Sequence, residues 1–418
     1  MRIKRDHYLD LLIAGRHNGL IKIITGIRRS GKTVLLFDLF DEYLKQNGVS
    51  ENHIIKVALD DRRYSDLRNP DKMLNYIDTK IMEEGWHYIL LDEVQMMDEF
   101  VDVLNSFLHM RNIDVYVTGS NSKFLSRDIA TEFRGRGDEI HLYPLSFSEY
   151  YNALGGDRHI RWREYYTFGG IPQHLVHDDA KKKEDFLRSL FQSVYLRDVL
   201  ERHRIKNKDE FEELMEVVAS SIGSPCNPNK LSNTFKSVKG VSIDYKTIAR
   251  YLDYMEEAFF IERARRYDVK GKRYINSLSK YYFQDIGLRN ALTDFRQLEE
   301  NHIMENIIYN ELRLRGYRVD VGIVEIRTTN KRNESIRKQL EVDFVANRGY
   351  DRYYIQSVLS LPDREKKEQE IASLRRIEDS FKKILLVKDD IMPYKDENGY
   401  LILGLFDFLM DKDSLEKF

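Results

Sequence analysis

The sequence predicts an α/β protein: a parallel sheet with flanking helices, then a mainly helical region, then a second α/β domain. Three observations predict this. Short β-rich runs alternate with helical periods up to about residue 150, a helix–turn–helix–hairpin order precedes residue 300, and mixed strands and helices return after it. The 418 residues exceed one ordinary core. The expected domains are 1–150, 151–300 and 301–418.

In the first region, residues 21–25 (IKIIT) read as a strand, and residues 33–45 as a helix with Val34, Leu35, Phe37 and Leu39 toward a core. Residues 54–59, 88–91 and 115–118 read as further strands. Strands separated by helical stretches imply right-handed crossovers and a parallel sheet covered on both faces. In the second region a break at Gly223-Ser224-Pro225 precedes a short helix (229–238), a turn at Lys239-Gly240 and a second helix (245–258). Strand-like runs at 259–267 and 281–283 follow, which is the order of a winged helix. The third region begins with a helix (302–315) and continues through strands at 319–326, 341–346 and 353–359. A charged helix (363–377) and a strand (384–387) complete it.

Composition narrows the function. The 67 Lys and Arg against 69 Asp and Glu leave a formal charge of −2, so a globally basic nucleic-acid binder is excluded while a local basic patch is not. One cysteine, Cys226, rules out a disulfide framework and a four-Cys zinc site, and fits a reducing cytoplasm. The most apolar late stretch, 400–410, contains Asp407 and falls well short of the roughly 20 residues a bilayer needs. The expectation is a cytoplasmic protein with no membrane segment and no leader. The His residues are scattered without metal-site spacing.

The chemistry is concentrated at Gly26-Ile27-Arg28-Arg29-Ser30-Gly31-Lys32-Thr33, a match to G-x-x-x-x-G-K-[ST] between a strand and a helix. Glycines let consecutive backbone N–H groups turn toward phosphate oxygens, and the helix presents its positive end to them. Lys32 neutralises β- and γ-phosphate charge, and the Thr33 hydroxyl is a Mg²⁺ ligand. The apolar run 87–91 ends in Asp92-Glu93. Asp92 is expected to hold Mg²⁺ and Glu93 to polarise the attacking water, which points to hydrolysis of ATP to ADP rather than binding alone. Beyond the strand at 115–118, Ser120 and Asn121 are candidates to reach the γ-phosphate or the water, ahead of Thr118.

GIRRSGKT, YILLDEVQ, VTGSNSKFL and GRGDEIHLYPLSFSEYY together resemble a family of prokaryotic AAA+ ATPases in which a DUF4143-type C-terminal region of undetermined function follows the ATPase domain. TFGGIPQHL (167–175), YLRDVLER (195–202) and YFQDIGLRNAL (282–292) are similar to it as well. The resemblance implies an AAA+ fold for the first region. It also implies that Arg136 is an arginine finger or sensor, with Arg134 as the alternative. In AAA+ proteins that arginine usually comes from a neighbouring subunit, so the resemblance implies a homo-oligomer.

Two later segments add expectations. The hairpin region carries Arg263, Arg265, Arg266, Lys270, Lys272 and Arg273, cations placed to lie along a nucleic-acid backbone. Acids Asp253, Glu256 and Glu257 on the preceding helix argue against sequence-specific reading. Glu305 on a helix, Asp343 on a strand and Gln356 on the next strand resemble the restriction-endonuclease-like fold, whose carboxylates hold Mg²⁺ beside a lysine. Here that lysine position is Val358, so the expected domain is nuclease-like but inactive, with Lys366 and Lys367 as the only nearby substitutes. The sequence therefore points to a Mg²⁺-dependent ATPase coupled to binding or remodelling of duplex or branched DNA. The alternatives are a nucleotide-gated switch or scaffold that recruits a protein partner, and an ATP-dependent nuclease.

Overall fold

The structure is a computed structural model that describes residues 2–81, 84–119, 135–240, 243–329 and 335–417. The chain divides into two compact units. The first comprises Met1–Leu145 with two later segments, Ile171–Leu175 and Glu257–Phe260; the second comprises Ser146–Gly170, Val176–Glu256 and Ile261–Phe418.

The first unit holds β1 (Ile21–Thr25), β2 (Ile54–Ala58), β3 (His87–Asp92), β4 (Ile113–Thr118) and β5 (Gly137–His141), all parallel, in the order β2-β3-β4-β1-β5. β1 and β3 are buried along their whole length, as a sheet covered on both faces requires. β5 is the strand that the sequence pattern hides. Gly-Asp-Glu-Ile-His has one aliphatic residue, and pairing with β1 over all five positions makes it a strand. Helical turns run through residues 32–46 and bury Leu35, Leu36, Phe40 and Leu44. Val34 and Phe37, expected in the core, differ: Val34 is exposed and both line a cavity beside the phosphate loop. The reason is helix phase. Residues Leu35 and Leu36 already fill the stripe facing the sheet, which turns Val34 and Phe37 away from it.

The second unit begins with helix Phe147–Leu154, whose first turn is held by a reciprocal Ser146–Glu149 capping box. Its sheet contains β6 (Ile261–Asp268), β7 (Arg273–Phe283), β8 (Arg318–Thr329), β9 (Ser335–Arg348), β10 (Asp351–Val358), β11 (Lys382–Val387), β12 (Tyr394–Lys395) and β13 (Leu401–Gly404). Their order is β12-β13-β11-β10-β9-β8-β6-β7. Helices Pro228–Thr234 and Tyr245–Glu257 do precede a hairpin, but the hairpin is not a free wing. β6 pairs in parallel with β8 through Arg266↔Val321 and its neighbours, so the sheet runs across the expected division at residue 300. A shared core is the cause: Ala264 and Tyr282 of the hairpin pack in one cluster with Ile303, Ile307, Val321 and Phe344. Among the described residues no helix is long and apolar enough to cross a membrane.

Candidate functional site

β1, β4 and β3 lie side by side and end at one edge of the sheet, where Thr25, Thr118 and Asp92 are their last residues. In an open parallel sheet this is the edge at which ligands bind. Residues 26–31 connect β1 to the helical turn starting at Lys32. Gly26 has φ +136°, and a Cβ there would stand 2.2 Å from the Leu142 carbonyl oxygen, so only glycine serves. Arg29 and Gly31 also have positive φ, which coils the loop tightly. The Ser30 hydroxyl is fully buried and has no hydrogen-bond partner among the described residues. A cradle of this shape with an unspent hydroxyl suits phosphate.

Lys32 reaches back over the loop, and its Nζ donates to the carbonyls of Gly26 at 2.8 Å and Ile27 at 2.9 Å. Burial pushes its ammonium down to about 8, against the opposing pull of Glu93 and Asp92. The Thr33 hydroxyl donates to Asp92 Oδ2 at 2.8 Å, and the Thr118 hydroxyl donates to Asp92 Oδ1. Burial raises the Asp92 pKa, and the two hydroxyls partly offset it. Glu93, at φ +53°, leaves the strand in a left-handed turn, and its N–H donates to Thr118 Oγ1 at 3.0 Å. Gln95 Nε2 donates to Glu93 Oε2. A hydroxyl and a carboxylate that already meet are hard oxygen donors of the kind Mg²⁺ takes, so the residues present fit that ion.

Thr118, which the sequence ranks behind Ser120 and Asn121, is therefore the residue brought onto the acid pair. Ser120, Asn121 and Arg134 lie outside the described residues. Arg28 is exposed on the loop, and Arg29 donates to Gln173 Oε1 at 2.7 Å. Gln173 belongs to Ile171–Leu175, which lies in the same unit, and no local periodicity foretells that return. Beside the loop a cavity of about 690 Å³ is lined by Ile3, Arg5, Gly31, Val34, Phe37 and Pro172, among others. Arg5 braces it, donating to the carbonyls of Ser30 at 3.0 Å and Tyr143 at 2.6 Å. Arg136 is exposed, directly precedes β5, and donates to Asn105 Oδ1 at 3.3 Å. Its carbonyl accepts from Ile21 at the start of β1, so the length of β1, at about 3.3 Å per residue, separates it from its own phosphate loop.

In the second unit Asp343 meets Gln356 and feels the charge of Glu305, residues grouped by the fold resemblance, and Glu341 and Lys280 join them, Lys280 unforeseen. Lys280 Nζ sits 2.8 Å from Glu305 Oε1 and 2.7 Å from Glu341 Oε1. Gln356 Nε2 donates to Asp343 Oδ1 at 3.0 Å. Burial, and then the charge of Glu305, pushes Asp343 up to about 7. Lys366 and Lys367 do not substitute for the missing lysine: they pair with Glu370 and Asp396. Of the six hairpin cations, Arg263 is held by Asp253 at 3.0 Å and Glu256 at 2.6 Å. Arg266 is buried and donates to Gln339 Oε1 at 3.0 Å. Arg265, Lys270, Lys272 and Arg273 remain exposed.

Residues 18–151 match the family described as AAA domain, and residues 160–299 match Domain of unknown function (DUF8612). An uncharacterized protein of Haemophilus influenzae is 33% identical over 390 residues, covering 92% of this chain and 93% of its own length. A second uncharacterized relative, from Methanocaldococcus jannaschii, is 27% identical over 393 residues, covering 90% of this chain and 82% of its own. Among solved structures, AMPPCP-bound DnaA from Aquifex aeolicus gives a TM-score of 0.30 at 16% identity, over 59% of this chain and 86% of that one. The chain belongs to the family of the Haemophilus influenzae protein, and in this AAA+ ATPase-like chain a domain of unknown function follows the AAA domain.

Proposed function

We propose that this protein is a Mg²⁺-dependent ATPase whose turnover is coupled to nucleic-acid binding. The observation that carries the ATPase reading is the continuous chain of contacts from Thr33 through Asp92 to Thr118 and the Glu93 backbone, laid beside the Lys32 loop. The loop N–H groups and Lys32 take the phosphates, and the cavity lined by Val34, Phe37 and Pro172 takes the base. Thr33 and Asp92 hold Mg²⁺, which when bound neutralises charge on the β- and γ-phosphate oxygens. Glu93 orients and polarises water for in-line attack, and Thr118 fixes the turn on which Glu93 sits. Arg136 serves a second copy of the chain, since its place before β5 keeps it from its own loop. The test is Glu93→Gln: expected is ATP affinity within about threefold of wild type, with turnover down about 100-fold or more. Full turnover in that variant overturns the assignment.

The nucleic-acid part rests on exposed cations of the second unit. Arg265, Lys270, Lys272 and Arg273 are joined by Arg327, Arg337 and Lys338 on the exposed outer half of the β8–β9 ribbon. Arg327 stands directly opposite Arg337, which already lies 3.3 Å from Glu325 Oε1, so a polyanion has only that exposed carboxylate to compete with at Arg337. Duplex and branched DNA should bind with an affinity that falls steeply with salt. Binding with no salt dependence, or none at all, removes this half and leaves the ATPase. A second reading, a slow nucleotide-gated switch, is favoured by the Gln95–Glu93 hydrogen bond, which occupies the carboxylate that should hold water. Under it Gln95→Ala turns over faster than wild type.

A further inference from the structure

The nuclease-like constellation of the second unit implies a divalent cation shared among its carboxylates, and the side chains present do not fit one. Lys280 Nζ contacts both Glu341 on β9 and Glu305 on the helix Glu300–Leu314, and the charges of Glu305 and Asp343 act on each other. Among the described residues, both oxygens of Asp343 and one oxygen of Glu305 already accept hydrogen bonds. Asp343 Oδ1 accepts from Gln356, while Oδ2 accepts from both the N–H and the hydroxyl of Ser357 at 2.8 Å each. Glu305 Oε1 accepts from the Tyr282 hydroxyl at 2.6 Å as well as from Lys280. A hard cation of this kind takes six or more oxygen ligands, several of them waters, and needs free carboxylate lone pairs.

The cation on hand is Lys280. It comes from β7, three places along the sheet from β9, and is 2% exposed. An ammonium with two carboxylate contacts is a buried ion pair with its hydrogen bonds in place, the one condition under which such a charge is tolerated. We infer that Lys280 is the resident cation of this cluster, an ammonium bridging Glu305 and Glu341 in the place that a divalent metal would need. The second unit thus keeps its carboxylates together without metal, and its role in the protein is binding or assembly rather than metal-dependent cleavage. This inference stands apart from the nucleotide site.

The experiment is a Mn²⁺ titration, followed by electron paramagnetic resonance and thermal melting, of the full chain without nucleotide. Wild type and Asp343→Asn should bind Mn²⁺ identically. Lys280→Met should lose roughly 10 °C of thermal stability, gain one further Mn²⁺ site, and recover stability as that site fills. Lys280→Arg should keep most of the stability and gain no site. A wild-type Mn²⁺ site that Asp343→Asn abolishes overturns the inference, and so does a folded Lys280→Met with unchanged Mn²⁺ binding. Should Lys280→Met not fold, the comparison of wild type with Asp343→Asn and the behaviour of Lys280→Arg still decide it.

Discussion

Lys32 of the first unit and Lys280 of the second are both buried near carboxylates, and the two are held in opposite ways. Lys32 is gripped by backbone carbonyls at 2.8 and 2.9 Å, with Asp92 and Glu93 acting on it only through space. Lys280 is gripped by the carboxylates themselves. Carbonyl dipoles compensate a buried ammonium poorly, and burial lowers the Lys32 pKa to about 8. Burial alone would lower Lys280 too, but Glu305, Asp343 and Glu341 more than reverse it and hold it above the ordinary lysine value. A lysine left electrostatically wanting is one that an anion can recruit. One already neutralised is part of the framework.

Four measurements test that contrast. The largest effect falls on nucleotide affinity: Lys32→Ala should weaken MgATP binding about 100-fold or more by calorimetry, while Lys280→Met leaves it within twofold. If both variants bind alike, the contrast is empty. Stability should divide the other way. Lys280→Met strands the buried Glu305 and the partly exposed Glu341, and should cost about 3 kcal/mol in denaturant unfolding. Lys32→Met removes a charge whose burial is poorly compensated, and should cost nothing or raise the melting temperature.

A finer test uses pH. With the folded pKa of Lys32 near 8, the nucleotide-free protein loses that proton as pH rises through 8, whereas bound phosphate holds it. ADP binding without Mg²⁺ should therefore take up a proton above pH 8 and weaken, up to about tenfold per pH unit. Calorimetry in buffers of different ionisation enthalpy reads that proton directly, and Lys32→Arg should abolish it. The smallest effect belongs to Thr118→Val. Loss of its bonds to Asp92 and the Glu93 backbone should slow turnover about tenfold with ATP affinity little changed.

What was legible in the sequence follows the range of the interactions. The phosphate loop and the acid pair declared themselves because loop, strand and helix are consecutive or carry a strong apolar run, and four of the five strands were readable for the same reason. Residues whose role depends on distant pairing stayed hidden. Lys280 sits in an ordinary-looking strand, and nothing near position 280 announces Glu305, Glu341 or a sheet order that carries β7 three strands from β9. Thr118 ranks behind Ser120 and Asn121 in the sequence because strand ends look alike until register places one beside Asp92. Charge counting failed differently for the hairpin: six cations in sequence cannot reveal that Asp253 and Glu256 claim Arg263 or that Gln339 claims Arg266.

The first unit takes its last pieces, Ile171–Leu175 and Glu257–Phe260, from far down the chain. During synthesis, therefore, the first unit cannot be finished when residue 145 leaves the ribosome. It must wait, with Gln173 not yet beside Arg29, while more than a hundred further residues are made. Nascent chains of this protein pass through a long interval in which the phosphate loop exists without its full surroundings, and a fragment stopped at residue 145 inherits that immaturity permanently.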